Sequence, residues 1–269
     1  MVNLRMLQLM QRIVGFIAKY VYAAVSCFYL FTVGFLVARH RALLLTIAIH
    51  FGYEKLIRST EILPSVDIPD MLPEPFPIHI REPIAVDGNV SLLELVVIAN
   101  LIRLHQPRLL FEIGTFDGRT TLNMAANCPE GATVYTLDLP KDQVRSTTFP
   151  LAQREDAFIK SGITGSRYAG TDGAQKIVQV YGDSASFDFS PFLKTIDFVF
   201  IDGSHSYDYV LHDSWLALRL LRDGRGVILW HDYHTWDGVT KALHELYAQD
   251  REFQDLKLIQ GTSLVCLIR

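Results

Sequence analysis

The chain has 269 residues, 49% hydrophobic and 20% charged, a balance that permits a sizeable core and argues against global disorder. Its net charge is −4, and no Lys/Arg-rich run is present, which argues against a nucleic-acid partner. Cys27, Cys128 and Cys266 are odd in number and far apart, matching neither a disulfide framework nor a zinc spacing, and read as small buried hydrophobes in a reducing compartment.

Residues 1–60 form an apolar N-terminal segment. Tyr20 to Ala38 contains no charged residue, with Lys19 at one end and Arg39, His40 and Arg41 at the other. A helix of that length spans about 28 Å, close to a hydrocarbon core of about 30 Å. Tyr20, Tyr22 and Tyr29 suit an interface. The segment is expected to be a single-pass membrane anchor. A signal peptide would have a shorter apolar stretch and a small-residue cleavage site, and a helical arm buried in a homo-oligomer is the remaining alternative. A second apolar run, Ala42 to Ile49, is too short to span and is expected at the interface or against the following domain. Residues 61–83 hold Pro64, Pro69, Pro73, Pro75, Pro77 and Pro83, a density that blocks helix and central strand alike. They read as a linker that wraps or spaces the domain at 84–269.

Within that domain, Ser91-Leu-Leu-Glu94 is a capping box opening a helix to about His105. Leu109 to Ile113 reads as a strand, Arg119 to Asn127 as a helix and Thr133 to Leu137 as a second strand. Lys141 to Gly173 is polar and mixes helix and loop. Lys176 to Tyr181, Ile196 to Ile201 and Gly226 to Trp230 are further strands, with a helix at Tyr207 to Leu221 between the last two. A helix at Gly238 to Ala248 leads to strands Leu256–Ile259 and Ser263–Ile268. The last two are joined only by Gln260, Gly261 and Thr262, so they must be antiparallel to each other. The alternation predicts an α/β, doubly wound, mostly parallel seven-stranded sheet. In such a sheet ligands lie beyond the carboxyl ends of the strands.

The residues after each strand are therefore the candidates. After the first comes Glu112-Ile-Gly-Thr-Phe-Asp-Gly118, a glycine turn that is not the G-x-G-x-x-G of dinucleotide binders. After the second comes Asp138, placed to accept from two ribose hydroxyls. After the third comes Gly182-Asp-Ser184, where Asp183 would accept from an adenine amino group. The segment IRLHQPRLLFEIGTFDGRTTLNM, with VYTLDLP and VYGDSASFDF further on, resembles catechol O-methyltransferase-type enzymes over roughly Asp87 to Tyr247. The nearer likeness is to antibiotic-pathway and macrolide-sugar O-methyltransferases. The resemblance implies a Rossmann-like class I methyltransferase fold and S-adenosyl-L-methionine as cosubstrate. It implies that Glu112, Gly114 and Gly118, with Thr115 and Phe116 between them, line the methionine part, that Asp138 takes the ribose, and that Asp183 with Ser184 takes the adenine.

After the fourth strand stands Phe200-Ile-Asp-Gly-Ser-His-Ser-Tyr207 and after the fifth Ile228-Leu-Trp-His-Asp-Tyr233. Asp202, His231 and Asp232 thus meet at one edge of the cosubstrate pocket and form a candidate divalent-metal set. Carboxylate oxygens suit Mg²⁺; His231, where the resembling family has a carboxylate, opens the choice to Mn²⁺, Fe²⁺ or Zn²⁺. His205, in a D-x-x-H pattern with Asp202, is the expected general base. Taken singly, Asp202 reads as a helix cap, His205 as a surface residue, and His231 with Asp232 as a strand-end pair; their adjacency favours function. The expected activity is O-methylation of a small-molecule or sugar hydroxyl, metal-assisted, by a membrane-anchored domain facing the cytosol, where its cosubstrate is made. The rivals are a metal-independent methyltransferase acting on another atom and a non-catalytic nucleotide-binding module.

Overall fold

The computed structural model describes residues 4–37, 62–74, 76–152 and 164–269, with the single positions 40, 41, 43, 44, 47, 155 and 159. Most of the apolar run Ala42 to Ile49, Glu61 at the head of the linker, and the middle of the Lys141 to Gly173 stretch lie outside the described residues. The chain divides into two compact units, Met1–Glu61 and Ile62–Arg269.

The first unit holds helix α1, Leu4–Thr32. Its Arg12–Thr32 stretch is long and apolar enough to cross a membrane, and only 6% of its most apolar window is buried. The span expected at 20–38 is not one helix. At Thr32 the side-chain hydroxyl donates back to the carbonyl of Phe28 at 2.8 Å, a local bond that competes with the helical ladder. Val33 and a 3₁₀ turn at Gly34–Leu36 follow. A Cβ on Gly34 would stand 3.1 Å from the Tyr29 carbonyl oxygen, so the turn folds tightly onto the helix end. The apolar helical stretch consequently begins earlier and includes Arg12 and Lys19.

The second unit is built on an eight-stranded sheet: β1 (Ser65–Val66), β2 (Leu109–Ile113), β3 (Thr133–Asp138), β4 (Ile177–Tyr181), β5 (Phe198–Ile201), β6 (Val227–Trp230), β7 (Lys257–Ile259) and β8 (Val265–Ile268). The spatial order is β1-β7-β8-β6-β5-β2-β3-β4. All pairings are parallel except those of β8 with β6 and β7. Seven strands lie where apolar runs predicted them. The eighth, β1, comes from the proline-rich linker and pairs Ser65 with Leu258. Helices α2 (Leu92–His105), α3 (Arg119–Asn127), α4 (Tyr207–Leu220) and α5 (Asp237–Gln249) cover the sheet. Successive strand residues point to opposite faces. Accordingly Leu110 and Phe198 join Leu95, Ile98 and Met124 in one buried cluster, while Phe111 and Val199 join Val210, Leu243 and Leu246 in the other. Strands apolar on both sides are what a doubly covered parallel sheet requires.

The linker wraps this unit. Its prolines withhold donors, and side chains of α3 supply the pairing instead. Asn127 exchanges two hydrogen bonds with the His79 backbone at 2.8 Å each, and Asn123 does the same with Arg81 at 2.8 and 3.0 Å. Arg119, fully buried, donates to the carbonyls of Glu82 at 2.6 Å, Val90 at 2.7 Å and Pro83 at 3.1 Å. Unpaired buried carbonyls cost about 1–3 kcal/mol each. Arg119→Met should therefore lower the urea-unfolding free energy by about 3 kcal/mol or more; a loss under about 1 kcal/mol would mean that water replaces the guanidinium.

Candidate active site

Three strand exits are tied together at the carboxyl edge of the sheet. Gly114 N–H donates to the Leu137 carbonyl, and Asp202 N–H donates to that of Ile113, both at 2.8 Å. Gly114 has φ +96°, and a Cβ there would lie 2.0 Å from the Asp202 carbonyl oxygen. Only glycine satisfies both demands. Gly118, at φ +82°, is filled over by Tyr168, whose ring carbons a Cβ would meet at 2.5 Å.

Beyond these exits opens a cavity of about 910 Å³ lined by Gly114, Phe116, Asp138, Asp183, Ser184, Asp202, His205, His231 and Asp232, with Asp87, Asn89 and Trp236 also on its wall. Its size matches pockets that hold a cofactor-sized ligand. Nine of the expected site residues thus meet on one surface. Glu112, Thr115 and Gly118 are buried behind it and do not line the cavity. Glu112 Oε2 accepts from Thr121 at 2.5 Å and Thr136 at 2.6 Å, while its Oε1 is buried without a partner among the described residues. Burial pushes its carboxyl pKa up to about 8 against those two hydrogen bonds. Asp138 Oδ2 accepts from the Thr164 hydroxyl at 2.6 Å, and burial raises its pKa. Asp183 is occupied by its own chain: Oδ1 accepts from Tyr209 at 2.7 Å and from Ala185 N–H at 3.0 Å, and Oδ2 accepts from Thr148 N–H at 2.6 Å. Ser184 donates to Asp213 at 3.1 Å.

The β5 and β6 ends are neighbours, with Ile201 opposite Trp230 and His231 N–H donating to Ile201 O at 3.1 Å. His231 Nδ1 lies 3.0 Å from Asp202 Oδ1 and 3.3 Å from Asp232 Oδ2. Asp232 has φ +66°, a left-handed conformation that Asp tolerates better than most residues. One ligand atom each from Asp202, His231 and Asp232 falls within 4.8 Å of the others. Two carboxylate oxygens and one imidazole nitrogen at this spacing fit a divalent cation. Burial drives the His231 pKa down, yet Asp202, Asp232 and Glu94 outweigh it and hold it well above the usual value.

His205 sits beside this cluster, its Nε2 2.8 Å from Asp232 Oδ2 and its Nδ1 2.6 Å from Glu155 Oε1. Trp236 stacks on the ring at 4.5 Å and 14°. Burial favours neutral imidazole, but the two carboxylates dominate and set its pKa at about 9. Glu155, which also accepts from Ser204 at 2.8 Å, was not among the expected residues; it lies in a polar stretch without a motif. The sequence marks Glu94 only as a capping residue. It does cap the helix, and its Oε2 also stands 3.4 Å from His231 Nε2. No local signal announces that contact.

The Glu112 carboxyl gives a pH prediction. Its folded pKa of about 8 exceeds an unfolded value of about 4.3, so the folded state holds the proton over that window. Its contribution is fully present below the unfolded pKa and is lost as pH rises through about 8, at up to about 1.4 kcal/mol per unit. Urea unfolding at pH 5, 6.5 and 8 should show wild type losing stability relative to Glu112→Gln as pH rises. A difference that is constant with pH would place an ordinary carboxylate there.

A family model described as a methyltransferase domain matches residues 111–233. No curated protein matches the sequence. Among solved structures, the chain is similar to the O-methyltransferase TomG from Streptomyces achromogenes, involved in tomaymycin synthesis and in complex with SAM, at 22% identity and TM-score 0.45, covering 68% of this chain and 82% of that one. It is similar to an O-methyltransferase from Bacillus cereus in complex with SAH, at 17% identity and TM-score 0.46, covering 68% and 84%. It is similar also to the SAH-bound methyltransferase PaMTH1 of Podospora anserina, at 18% identity and TM-score 0.48, covering 68% and 80%.

Proposed function

We propose that this chain, whose residues 111–233 match a methyltransferase-domain model, is an S-adenosylmethionine-dependent methyltransferase that transfers the methyl group to a hydroxyl of a small molecule or sugar with a divalent cation as cofactor. The observation that carries the reading is the placement of Asp202, His231, Asp232 and His205 on the wall of the cavity that also holds Asp138 and Asp183. Cosubstrate and acceptor chemistry then share one space, as in-line transfer demands. Asp138 accepts from the ribose hydroxyls once Thr164 yields its place, and Phe116 and Gly114 border the methionine end.

The sulfonium brings its own leaving group, so the protein must aim and deprotonate the nucleophile. The acceptor oxygen forms a bond to the methyl carbon, the carbon–sulfur bond breaks, and S-adenosylhomocysteine leaves. His205 Nε2 takes the hydroxyl proton, while Glu155 on Nδ1 and Trp236 on the ring face hold the imidazole in place. A divalent cation held by Asp202, His231 and Asp232 would supply Lewis-acid stabilisation of the oxygen's developing charge. Asp232 and Glu155 favour the imidazolium form of His205. It must lose that proton before it accepts another, so the rate should rise with pH. The hydrogen-bond distances from His231 to Asp202 and Asp232 support a second reading, metal-independent transfer with the imidazole as partner of both carboxylates, which chelation distinguishes.

His205→Ala should slow turnover by about 10²–10⁴-fold and remove the alkaline rise, with Mn²⁺ and S-adenosylhomocysteine still bound. Asp202→Ala should instead lose cation affinity and be partly rescued by excess metal. Both are measured as labelled-methyl transfer against pH and metal concentration. An unchanged His205→Ala profile would remove His205 as base, and indifference of the wild type to chelator would replace this mechanism with the metal-independent one.

We also assign the N-terminal unit as a single-pass anchor that leaves the catalytic domain in the cytosol, supported by the length, apolarity and exposure of Arg12–Thr32. The full chain should fractionate with membranes, and deletion of residues 1–61 should release a soluble domain that binds S-adenosylhomocysteine. Full-length protein recovered without detergent would favour the oligomer arm.

A further inference from the structure

On the side of His231 away from the cavity cluster stands a buried carboxylate, Glu94. Glu94, in the first turn of α2, uses every acceptor position it has. Oε1 accepts from both the N–H and the hydroxyl of Ser263 at 2.8 Å each. Oε2 accepts from Ser91 N–H at 2.6 Å and faces His231 Nε2 at 3.4 Å. A carboxylate surrounded by donors can only accept, so Nε2, which faces it, carries hydrogen with or without a cation at Nδ1. Asp202 Oδ1 and Asp232 Oδ2 face Nδ1 in the same way and favour a proton there; where a cation takes that proton's place, Nδ1 is the nitrogen left with a lone pair. Three lone-pair donors converge there, from two anions and one bare nitrogen, and only a proton or a cation can hold them together.

We infer that Glu94 is a positioning residue for the cation centre: it fixes His231 as the Nε2–H tautomer, so that Nδ1 becomes a ligand beside Asp202 and Asp232 and the centre favours a cation of the Mn²⁺, Fe²⁺ or Zn²⁺ class over Mg²⁺. The inference rests on the cation reading above and adds to it the residue that makes a histidine usable there. Nitrogen ligation favours these ions, whereas Mg²⁺ prefers oxygen alone. Carboxylates behind metal-binding histidines typically contribute 10–100-fold to metal affinity. The duties of Glu94 toward Ser91 and Ser263 are structural and must be separated from this one.

A double-mutant cycle makes the separation. Mn²⁺ and Mg²⁺ are titrated calorimetrically into the full chain in detergent with S-adenosylhomocysteine present, whose retained binding reports the fold. Wild type should bind Mn²⁺ more tightly than Mg²⁺, and Glu94→Gln should weaken Mn²⁺ about 10–100-fold. In the His231→Asp background the ligand has no tautomer to fix, so Glu94→Gln should change Mn²⁺ affinity less than about twofold, and the preference over Mg²⁺ should shrink. Equal losses in both backgrounds, or no loss in either, would overturn the inference. Wild type that binds neither cation would overturn the cation reading and this inference with it. If Glu94→Gln does not fold, ¹⁵N shifts of His231 in the Zn²⁺-loaded wild type decide. Hydrogen on Nε2 with the metal on Nδ1 supports the inference; the reverse overturns it.

Discussion

The loops leaving β2 and β5 touch at Gly114, and the site depends on that contact. With the Asp202 carbonyl where a side-chain carbon would stand, the two strand ends approach closely enough for Asp202 N–H to bond the Ile113 carbonyl. The β2–β3–β4 exits carry Asp138 and Asp183, and the β5–β6 exits carry Asp202, His205, His231 and Asp232. Drawing β2 and β5 together merges these two sets of groups into one cavity. A sheet with the same strands and a wider gap at this point would hold two half-sites too far apart for the proposed transfer.

The second organising feature is charge. Glu94, Glu112, Asp138, Glu155, Asp183, Asp202 and Asp232 all lie in or just behind the cavity, with His205 and His231 as the imidazoles interleaved among them. Burial makes each anion costly, and each is answered locally. His205 and His231 hold Asp232 well below the carboxylate range against its burial. His231, with backbone donors, likewise keeps Glu94 at about 2. Burial drives Glu112, whose partners are two neutral hydroxyls, toward the protonated form, and it raises the pKa of Asp138 and Asp202 as well. An acidic interior of this kind suits the cationic cosubstrate proposed above.

The strands, the antiparallel closing pair and the Ser91–Glu94 cap were legible because each is written in a short window: apolar runs of four to six residues, or a three-residue spacing. The strand-end residues followed from topology, since in a doubly wound sheet those positions converge whatever the intervening chain does. Three things were not legible. Strand β1 is two residues long amid prolines, so no periodicity can mark it. Glu155 meets His205 across 50 positions, and Glu94 meets His231 across 137; such pairings depend on folded geometry. The end of the apolar helix is hidden because the absence of charge up to residue 38 does not reveal the backbone preference that ends it. The helix tolerates Arg12 and Lys19 but stops at the Thr32–Val33–Gly34 sequence.

The linker also bears on where the catalytic unit starts. Read as a spacer, it puts that start at residue 84. In the fold it supplies β1, which occupies one side of β7, with Leu258 N–H donating to the Pro64 carbonyl at 2.9 Å and Gln260 N–H to that of Val66 at 3.0 Å. A chain beginning at 84 would expose those donors as a bare parallel edge, the kind of surface that recruits strands from other molecules. It would also leave the buried guanidinium of Arg119 short of two of its three carbonyls. Such a fragment keeps every side chain on the cavity wall yet invites self-association into aggregates, whereas one beginning at 62 carries its own edge protection.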